Sequence, residues 1–476
     1  MKWQLKDIVT WTNGKLISDN KNENETAFDS VGTDTRKDLS GQIFIALKGE
    51  SYDAHDYLDQ AVAKGAKTLL IHRLDPKFEN LKSKVSIILV DDTLTALQNF
   101  AQKYRQTLNT TIIGITGSNG KTTTKEFTAQ ILSAFKKTHF SHGSFNNHWG
   151  VPMTLLEIQK NTEFAVVEMG MNHAGEITKL VQIADPDIVV CTMVGTAHIG
   201  PMGSQANIAK AKSEIYMDSR ESTIRIFNQD QDWTFDMMYP VSKKFPASRM
   251  LTFSEKNDKA DVYFHIDELS MRQMKISGFI AGQPGSAVVP LFGKQNLVNL
   301  MAAATIAYLC KVPLEKIWKG LEGCKTSWGR NQFIESKTKA EILFDGYNAN
   351  SDSMSALLEN IPLLKVKGKK IAVFGQMKEL GAESAVAHQK LGKMAGETGF
   401  HEIYFTGEDY KHFSAGLAQT RHDGPTYIAY EYSSDLGAKL RKSIGPGDIV
   451  VIKGSRGAKT EQFVEAIEPL NWTIKK

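Results

Sequence analysis

TTIIGITGSNGKTTTKEFTAQILSAF, residues 110–135, is the stretch that decides how the chain folds. Its first part is a short β-branched apolar run bounded by small residues, which is typical of a buried strand that enters a loop. In its last part Phe127, Ile131, Leu132 and Phe135 recur at helical spacing. These side chains would share one face of a helix that begins at a run of threonines. The stretch therefore predicts a strand, a loop and a helix in direct succession.

The loop between this strand and this helix has the composition of a phosphate-binding loop. Two glycines let the backbone turn so that several N–H groups and the amino end of the helix face one point, a geometry that binds phosphate oxygens. Lys121 could then reach the outer phosphates, and Thr122 could bind magnesium. Ile115 stands where the general P-loop pattern has its first glycine, so an ordinary glycine turn with a surface lysine is the alternative. The predicted loop comprises Gly117, Ser118, Asn119, Gly120, Lys121 and Thr122.

Length and charge narrow the class of protein. The chain has 476 residues and a formal net charge of +4, which allows about three domains and favours neither nucleic acid nor a membrane surface as a partner. No apolar run approaches membrane-spanning length and the first ten residues lack a signal-peptide core, so we expect a cytoplasmic protein without membrane insertion. Cys191, Cys310 and Cys324 lack metal-ligand spacing, and we expect buried thiols.

The apolar runs divide the chain into three α/β units. Residues 1–107 alternate short strands and helices as a small α/β domain. Residues 108–327 include near-continuous apolar runs at 164–167 and 188–194, which suit strands buried on both faces of a largely parallel sheet. Residues 328–476 alternate strand and helix regularly, as a doubly wound, Rossmann-like domain does. No G-x-G-x-x-G motif follows the first strand of this last unit, so a nicotinamide or flavin role is not supported.

Two of the predicted central strands end in residues that can bind a metal ion. Glu168 ends one run, and His198 follows the other. The carboxyl ends of such strands are where ligands bind in open α/β sheets. A predicted helix at 208–216 brings Lys212 near the same edge, as a cation or, if carbamoylated, as a further carboxylate. With the loop, these residues favour magnesium-assisted phosphoryl transfer; a solvated glutamate, a turn histidine and a surface lysine are the alternatives.

The first unit contains two short segments that could hold a second phosphate-bearing ligand. Thr35 and Arg36 form one segment, and Lys48 and Gly49 belong to the other. Each segment puts a cation beside small hydrogen-bonding residues. Solvated loop charges are the alternative explanation.

A series of ordered blocks extends over nearly the whole chain. They are DTR (34–36), IALKGESYDAHDY (45–57), TGSNGKTTTKE (116–126), NNHWGVPMTLL (146–156), VVEMGMNHAGEI (166–177), AKAKSEI (209–215), FGKQNLVNLMAA (292–303), GR (329–330), DGYNANSDSM (345–354), ELGAES (379–384) and KGSR (453–456). These blocks resemble those of the Mur ligases, the ATP-dependent amide-forming enzymes of peptidoglycan precursor synthesis. The glycine spacing that departs from the general P-loop pattern is the form that this family has.

The resemblance implies a role for each residue that matches a family motif. It implies ATP contacts at Thr116, Gly117, Ser118, Asn119, Gly120, Lys121, Thr122, Asn296, Asn299, Arg330 and Asp345. It implies a catalytic set of Lys121, Glu168, His198 and Lys212, with Mg²⁺ bound by Thr122, Glu168, His198 and a carbamoylated Lys212. It implies UDP-sugar contacts at Thr35, Arg36, Lys48 and Gly49, and dipeptide contacts at Tyr347, Asn348, Asn350, Lys453 and Ser455.

The resemblance also implies a reaction. The family member that the blocks resemble joins D-alanyl-D-alanine to UDP-N-acetylmuramoyl-tripeptide, so these small molecules, ATP and Mg²⁺ are the expected ligands of a monomer. The acceptor carboxylate would take the γ-phosphoryl group, and the dipeptide amine would attack the acyl phosphate after the third domain closes over the second. The alternatives are a member that adds a single amino acid, whose D-N-P-R motif is absent here, and a nucleotide-binding relative without catalysis.

Overall fold

The structure is a computed structural model that describes residues 2–18 and 27–474. Within these ranges the strands form sheets of five, nine and six strands and one two-stranded ribbon. Helices pack on the large sheets, and the predicted α/β class is confirmed. No helix in the described ranges is both long enough and apolar enough to cross a membrane.

The amino-terminal part of the chain forms the five-stranded sheet. Its strand order is β2-β7-β6-β5-β4, parallel except for the β2–β7 pair, and β1 pairs with β3 in the ribbon. The strands are β1 (Trp3–Gln4), β2 (Lys15–Leu16), β3 (Ala27–Phe28), β4 (Val31–Gly32), β5 (Ile43–Ile45), β6 (Thr68–Ile71) and β7 (Ser86–Leu89). The helices are α1 (Leu5–Trp11), α2 (Leu58–Ala63) and α3 (Thr93–Gln106), with 3₁₀ turns at Ala54–Tyr57 and Pro76–Ser83.

The middle part forms the nine-stranded sheet. Its strands are β8 (Thr111–Thr116), β9 (Thr138–Phe140), β10 (Phe164–Glu168), β11 (Ile188–Cys191), β12 (Ile224–Asn228), β13 (Met250–Ser254), β14 (Val262–Leu269), β15 (Met274–Ile280) and β16 (Gln283–Val289). The helices are α4 (Lys121–Ser133), α5 (Gly150–Glu157), α6 (Glu176–Ala184), α7 (Ile199–Met202), α8 (Gln205–Met217), α9 (Asp232–Asp236), α10 (Met238–Lys244), α11 (Asn296–Leu309) and α12 (Leu314–Glu322).

The order of this sheet places the functional loops side by side. The order is β16-β15-β14-β13-β12-β11-β8-β10-β9, parallel from β9 to β14 and antiparallel from β14 to β16. The largely parallel sheet is therefore as predicted. Ile112, Ile113 and Ile115 of β8 are fully buried, because helices cover both faces of the sheet. Since β8 lies between β10 and β11, the loops that follow these three strands meet at one edge.

The carboxyl-terminal part forms the six-stranded sheet. Its order is β17-β18-β22-β19-β20-β21, and only β17 is antiparallel, as expected for a doubly wound domain. The strands are β17 (Gln332–Glu335), β18 (Glu341–Asp345), β19 (Lys370–Gly375), β20 (Glu402–Thr406), β21 (Thr426–Ala429) and β22 (Ile449–Lys453). The helices are α13 (Ser351–Asn360), α14 (Ser384–Glu397), α15 (Tyr410–Leu417), α16 (Ser434–Ser443) and α17 (Glu461–Ala466), with 3₁₀ turns at Ile361–Leu363, Gly381–Glu383 and Arg456–Ala458.

Helix α3 connects the first sheet to the second. Its Phe100 and Tyr104 rings pack edge-on against Trp3, with ring centroids 4.9 and 5.2 Å apart. The Tyr104 hydroxyl donates a hydrogen bond of 2.6 Å to the carbonyl of Ile158, beyond helix α5. One apolar core therefore runs from the amino-terminal strands into the middle sheet. The domain limits at 107/108 and 327/328 remain predictions.

Candidate active site

The loop between β8 and α4 has the backbone that phosphate binding requires. Gly117 and Gly120 have φ angles of +147° and +83°, a region that favours glycine. A Cβ atom at Gly117 would also collide with Oγ1 of Thr192. The Lys121 ammonium group donates a hydrogen bond of 2.6 Å to the carbonyl of Gly117, and the surrounding protein lowers its pKa by desolvation. The loop thus folds around its own lysine, with the amino end of α4 behind it.

Two asparagines of α11 support this loop from below. Asn299 accepts a hydrogen bond of 3.1 Å from the Thr124 hydroxyl through Oδ1 and donates one of 3.3 Å to Oδ1 of Asn296. Asn296 in turn donates to the carbonyl of Phe292 at 2.8 Å. Both side chains are buried and lie outside the lining of the cleft described next. Their contact with adenine remains a prediction.

A cleft of about 720 Å³ lies between the middle and the carboxyl-terminal sheets. It brings together many of the predicted site residues, whose side chains come from elements far apart in sequence. The predicted residues that line it are Ser118, Asn119, Gly120, Lys121, Thr122, Glu168, His198, Arg330, Tyr347 and Asn348. The remaining predicted nucleotide, metal and dipeptide residues lie around this cleft without lining it: Thr116, Gly117, Lys212, Asn296, Asn299, Asp345, Asn350, Lys453 and Ser455.

Glu168, the last residue of β10, is the buried carboxylate of the cleft. Its side chain is only 1% exposed. Its Oε1 accepts a hydrogen bond of 2.8 Å from the Asn146 amide, whereas Oε2 is buried without a hydrogen-bond partner among the described residues. A buried, unpaired carboxylate oxygen is costly unless a cation binds it, so this oxygen is suited to a metal ion.

His198 lines the same cleft as Glu168 and belongs to the loop that follows β11. Its backbone has a φ of +65°, which is uncommon for a residue with a side chain and typical of strained functional positions. Its Nδ1 lies 2.8 Å from Oε2 of Glu379, close enough for an ion pair although not aligned for a hydrogen bond. The proximity of His198 lowers the pKa of Glu379. A residue of the carboxyl-terminal domain therefore contacts a predicted metal ligand of the middle domain.

Lys212 of α8 is a fully buried lysine behind the cleft. Burial lowers its pKa to about 7, and the nearby charge of Lys121 acts in the same direction. Burial also raises the pKa of the neighbouring Cys191 thiol to about 11, so that thiol stays protonated. A largely neutral, buried amine is the form of lysine that can react with carbon dioxide.

The carboxyl-terminal domain contributes Arg330 to the lining of the cleft, whereas its Lys453 lies outside that lining. The Arg330 guanidinium stacks over the Tyr347 ring at 4.5 Å, and its Nη2 lies 3.5 Å from the Thr122 hydroxyl. Lys453 is buried, forms an ion pair with Asp345 and donates to the carbonyl of Asn348 at 3.2 Å. Burial lowers the pKa of Lys453. Arg330 thus directly reaches the loop between β8 and α4, residues 117–122, which we call the nucleotide loop. Lys453 supports the backbone at Asn348.

Two predicted dipeptide residues make contacts within the protein. Asn350 caps α13 by accepting a hydrogen bond of 2.9 Å from the Ser353 N–H, and its amide exchanges hydrogen bonds of 2.8 and 3.3 Å with Asn119 of the nucleotide loop. Ser455 donates to the carbonyl of Ala349 at 3.1 Å. Their roles in dipeptide binding remain predictions, as do those of Tyr347, Asn348 and Lys453.

The predicted UDP-sugar residues lie in the amino-terminal domain, apart from the cleft. Arg36 is an exposed side chain whose guanidinium makes a two-bond contact with Asp34, at 2.9 and 2.8 Å. Thr35 is buried and lies 3.4 Å from the Gln60 side chain. Gly49 belongs to a turn in which its N–H donates to the carbonyl of Tyr52 at 2.7 Å. Lys48 pairs with Asp53 in an isolated antiparallel β-bridge of the backbone beside that turn.

Sequence reasoning missed three residues that shape the site. Asn146 holds Glu168, Asp352 contacts the loop before His198, and Glu379 contacts His198 itself. All three fall inside the blocks quoted above, at positions to which the resemblance assigns no role. The only available signal was that amide and carboxylate side chains recur within those blocks.

The fold and the cleft define a class of protein: a three-domain α/β nucleotide-binding protein whose phosphate loop is faced by a cation from its last domain. Within residues 2–18 and 27–474 no three His, Cys, Asp or Glu side chains converge to form a metal site by themselves.

Comparison with known proteins identifies the family. Sequence models of the Mur ligase family catalytic domain, the Mur ligase middle domain and the Mur ligase, glutamate ligase domain match residues 27–105, 115–307 and 329–456. The UDP-N-acetylmuramoyl-tripeptide–D-alanyl-D-alanine ligases of Bacillus subtilis and Escherichia coli are each 34% identical to the chain, over 98% of it and over 98% and 97% of their own lengths. The chain belongs to the Mur ligase family.

Solved structures are similar over the whole chain. Crystal structure I of MurF from Acinetobacter baumannii has a TM-score of 0.83 and 28% identity and covers 98% of both chains. MurF from Thermotoga maritima, determined in complex with ADP, has a TM-score of 0.77 and 24% identity and covers 92% of this chain and 96% of that one. The predicted three-domain Mur ligase fold is therefore confirmed.

Proposed function

We propose that the chain is an ATP-dependent ligase that joins D-alanyl-D-alanine to UDP-N-acetylmuramoyl-tripeptide, the activity for which its Bacillus subtilis and Escherichia coli relatives are named. One observation carries the proposal. A single cleft gathers a phosphate-binding loop, a buried carboxylate with an unpartnered oxygen among the described residues, and a guanidinium from the third domain. This is the set of groups that phosphoryl transfer to a carboxylate needs.

The protein's residues suit Mg²⁺ as the metal. Mg²⁺ prefers oxygen ligands, which Glu168 and Thr122 can supply, and His198 lies at the same edge of the sheet. Lys212 would add a further oxygen as its carbamate, because burial lowers its pKa to about 7 and leaves the amine largely neutral at pH 8. When bound, the ion would supply positive charge to the γ-phosphate and so promote attack on it.

The side chains of the cleft then account for the two steps. Lys121 would leave the carbonyl of Gly117 and bind the outer phosphates, while Arg330 would neutralise charge from the third domain. An oxygen of the tripeptide carboxylate attacks the γ-phosphorus, and ADP leaves with the electrons of the broken P–O bond. The amine of the dipeptide attacks the acyl carbon, loses a proton and displaces inorganic phosphate. Tyr347 and Arg330 would limit access of water to the acyl phosphate.

The other ligands and the setting follow from the same proposal. The UDP part would bind the amino-terminal domain near Thr35, Arg36, Lys48 and Gly49. Asn296 and Asn299 would contact the adenine, and Asp345 would contact the ribose. The dipeptide would bind near Tyr347, Asn348, Asn350, Lys453 and Ser455. We further propose that the enzyme acts as a monomer in the cytoplasm.

The test is phosphate release from ATP in the presence of UDP-N-acetylmuramoyl-tripeptide, with and without D-alanyl-D-alanine. Release should require both substrates and fall by about two to three powers of ten in Lys121→Ala, because one charge-stabilising group is lost. Lys136→Ala removes an exposed lysine beyond the end of α4 and serves as the matched control. Turnover that is equal without dipeptide, or that accepts a single amino acid instead, would assign the chain to another activity of the family.

A further inference from the structure

The loop that carries His198 is held by the third domain at a first point, Thr196. The backbone N–H of Thr196 donates a hydrogen bond of 2.6 Å to Oδ2 of Asp352, and the Thr196 hydroxyl donates to the same oxygen at 2.9 Å. Asp352 lies in the first turn of α13, where the helix dipole favours a negative charge. Hydrogen bonds to an ionised carboxylate are shorter and stronger than neutral ones. Asp352 therefore fixes both the backbone and the side chain of Thr196.

The third domain holds the same loop at a second point, around Glu379. The Gly200 N–H donates a hydrogen bond of 3.2 Å to the carbonyl of Glu379, whose carboxylate lies 2.8 Å from Nδ1 of His198. The backbones of Gly200 and Gly381 approach so closely that a Cβ atom on either would be within 2.9 Å of the other. His198 and Glu379 both have positive φ angles, +65° and +66°. Such conformations persist where surrounding contacts determine them.

Hydrogen bonds from the middle domain hold the start of this loop, and Ile199 packs against the apolar core of the middle domain as well as that of the third domain. The N–H of Val194 donates a hydrogen bond of 2.9 Å to the Gln231 side chain, and the carbonyl of Gly195 accepts one of 3.3 Å from the Ser118 hydroxyl. From Thr196 to Gly200 the contacts given above come from the third domain. The position of the His198 ring thus depends on residues of another domain.

We propose that Asp352 and Glu379 are positioning residues that hold the loop 195–200, so that His198 takes its place in the cleft only while the third domain lies against the middle sheet. This inference rests on the proposed ligase function for its kinetic consequence. It does not rest on that function for its structural consequence, which concerns the loop of the substrate-free protein.

Hydrogen–deuterium exchange of the full chain tests the structural consequence. In Asp352→Ala, backbone amides of residues 195–203 should exchange at least about threefold faster than in the wild type, while amides of residues 113–124 should not change. Asp435→Ala is the matched control, because Asp435 is an exposed aspartate in the first turn of α16. It removes the same favourable interaction with a helix dipole but leaves the loop untouched. Equal exchange at 195–203 in the wild type and Asp352→Ala would overturn the proposal, as would an equal increase at 113–124.

Kinetics test the functional consequence. Asp352→Ala and Glu379→Ala should each lower kcat for phosphate release by about tenfold or more, with KM for the UDP-sugar substrate unchanged, because a misplaced group near the reacting atoms slows the chemistry. Thr196→Val removes one of the two bonds to Asp352 and should have a smaller effect. If Asp352→Ala melts at a lower temperature than the wild type, the kinetics of Thr196→Val decide the test instead. Unchanged kcat in all three variants would overturn the proposal. A wild type without ligase turnover would reject the proposed function instead and leave the exchange result to decide on positioning.

Discussion

The loops that follow the neighbouring strands β8 and β11 are held in different ways. The nucleotide loop after β8 is fixed within the middle domain: Lys121 bonds Gly117, Thr192 donates to the carbonyl of Asn119 at 2.6 Å, and the Ser118 N–H donates to the carbonyl of Met193 at 2.8 Å. The loop after β11 is hydrogen-bonded from Thr196 onward to Asp352 and Glu379 of the third domain.

This difference indicates which step of the reaction depends most on the position of the third domain. A loop held mainly within its own domain keeps its shape wherever the third domain lies, so the position of the third domain should affect this loop less than it affects the loop after β11. A loop held by another domain takes its working shape only when the two domains meet. Under the positioning that we propose, such an arrangement would prevent phosphoryl transfer before the site is covered, since an exposed acyl phosphate would be lost to water.

Lys212 lies behind both loops, and its removal should have the largest effect. The lysine is near Lys121 of one loop and near Cys191, from which the other begins. Lys212→Ala should lower kcat for phosphate release by about three powers of ten, because the charged metal ligand that we propose its carbamate to be would be lost. Millimolar acetate or propionate should restore part of the activity if the lysine acts as a carbamate. Lys210→Ala, an exposed lysine of the same helix, is the control and should match the wild type.

The pH dependence of reactivation tests the carbamate independently. Burial lowers the pKa of Lys212 to about 7, so the amine is mostly neutral above pH 7 and mostly protonated below it. Only the neutral amine combines with carbon dioxide. Enzyme depleted of carbon dioxide should therefore regain activity on addition of bicarbonate at pH 8 and regain little at pH 6. Equal recovery at both pH values would mean that the lysine acts as a plain cation.

A pair of glycine substitutions should separate the two loops most directly. Gly117→Ala forces a Cβ into Thr192 at a φ of +147°, so it should lower nucleotide affinity and turnover together, by about 10²-fold in kcat/KM. Gly195→Ala forces a Cβ toward Oδ2 of Asp352, across the domain boundary. It should leave the Kd for a non-hydrolysable ATP analogue unchanged, while kcat falls by about tenfold as the Asp352 side chain is displaced.

Isothermal titration calorimetry measures the Kd of both variants for the ATP analogue, and steady-state kinetics measures their kcat and KM. The comparison between the loops fails if Gly195→Ala weakens nucleotide binding as much as Gly117→Ala does. It also fails if Gly117→Ala alters only kcat. A shift in melting temperature is expected for Gly117→Ala alone, because its clash lies inside one domain.

The same difference explains what the sequence could predict. Strand β8 and helix α4 follow from the apolar spacing of a single stretch, and the observed bounds, Thr111–Thr116 and Lys121–Ser133, agree with it. Glu168 and His198 could be placed because parallel strands bring their carboxyl ends to one edge. Asp352 could not, because it contacts Thr196 across 156 positions of sequence and through the docking of two domains. The sequence also did not indicate that the amide of Asn350 is bonded to Asn119, and the role of Asn350 beside the dipeptide stays a prediction.

The smallest expected effect concerns that last pair. Asn350→Ser keeps a side chain that caps α13, since serine is about as good a cap as asparagine, but it removes the reciprocal amide bonds to Asn119. Net hydrogen bonds contribute about 1 kcal/mol each, so KM for ATP should rise about two- to tenfold. The double variant with Asn119→Ser should then cost little more than either single change, because both remove the same contact. A rise confined to the KM for D-alanyl-D-alanine would instead support the role that the sequence predicted for Asn350. Because Asn350 joins the third domain to the nucleotide loop, a change in KM for ATP would mean that this loop, too, gains part of its affinity from closure. The contrast between the loops would then be one of degree, set by a pair of amides on one side and two carboxylates on the other.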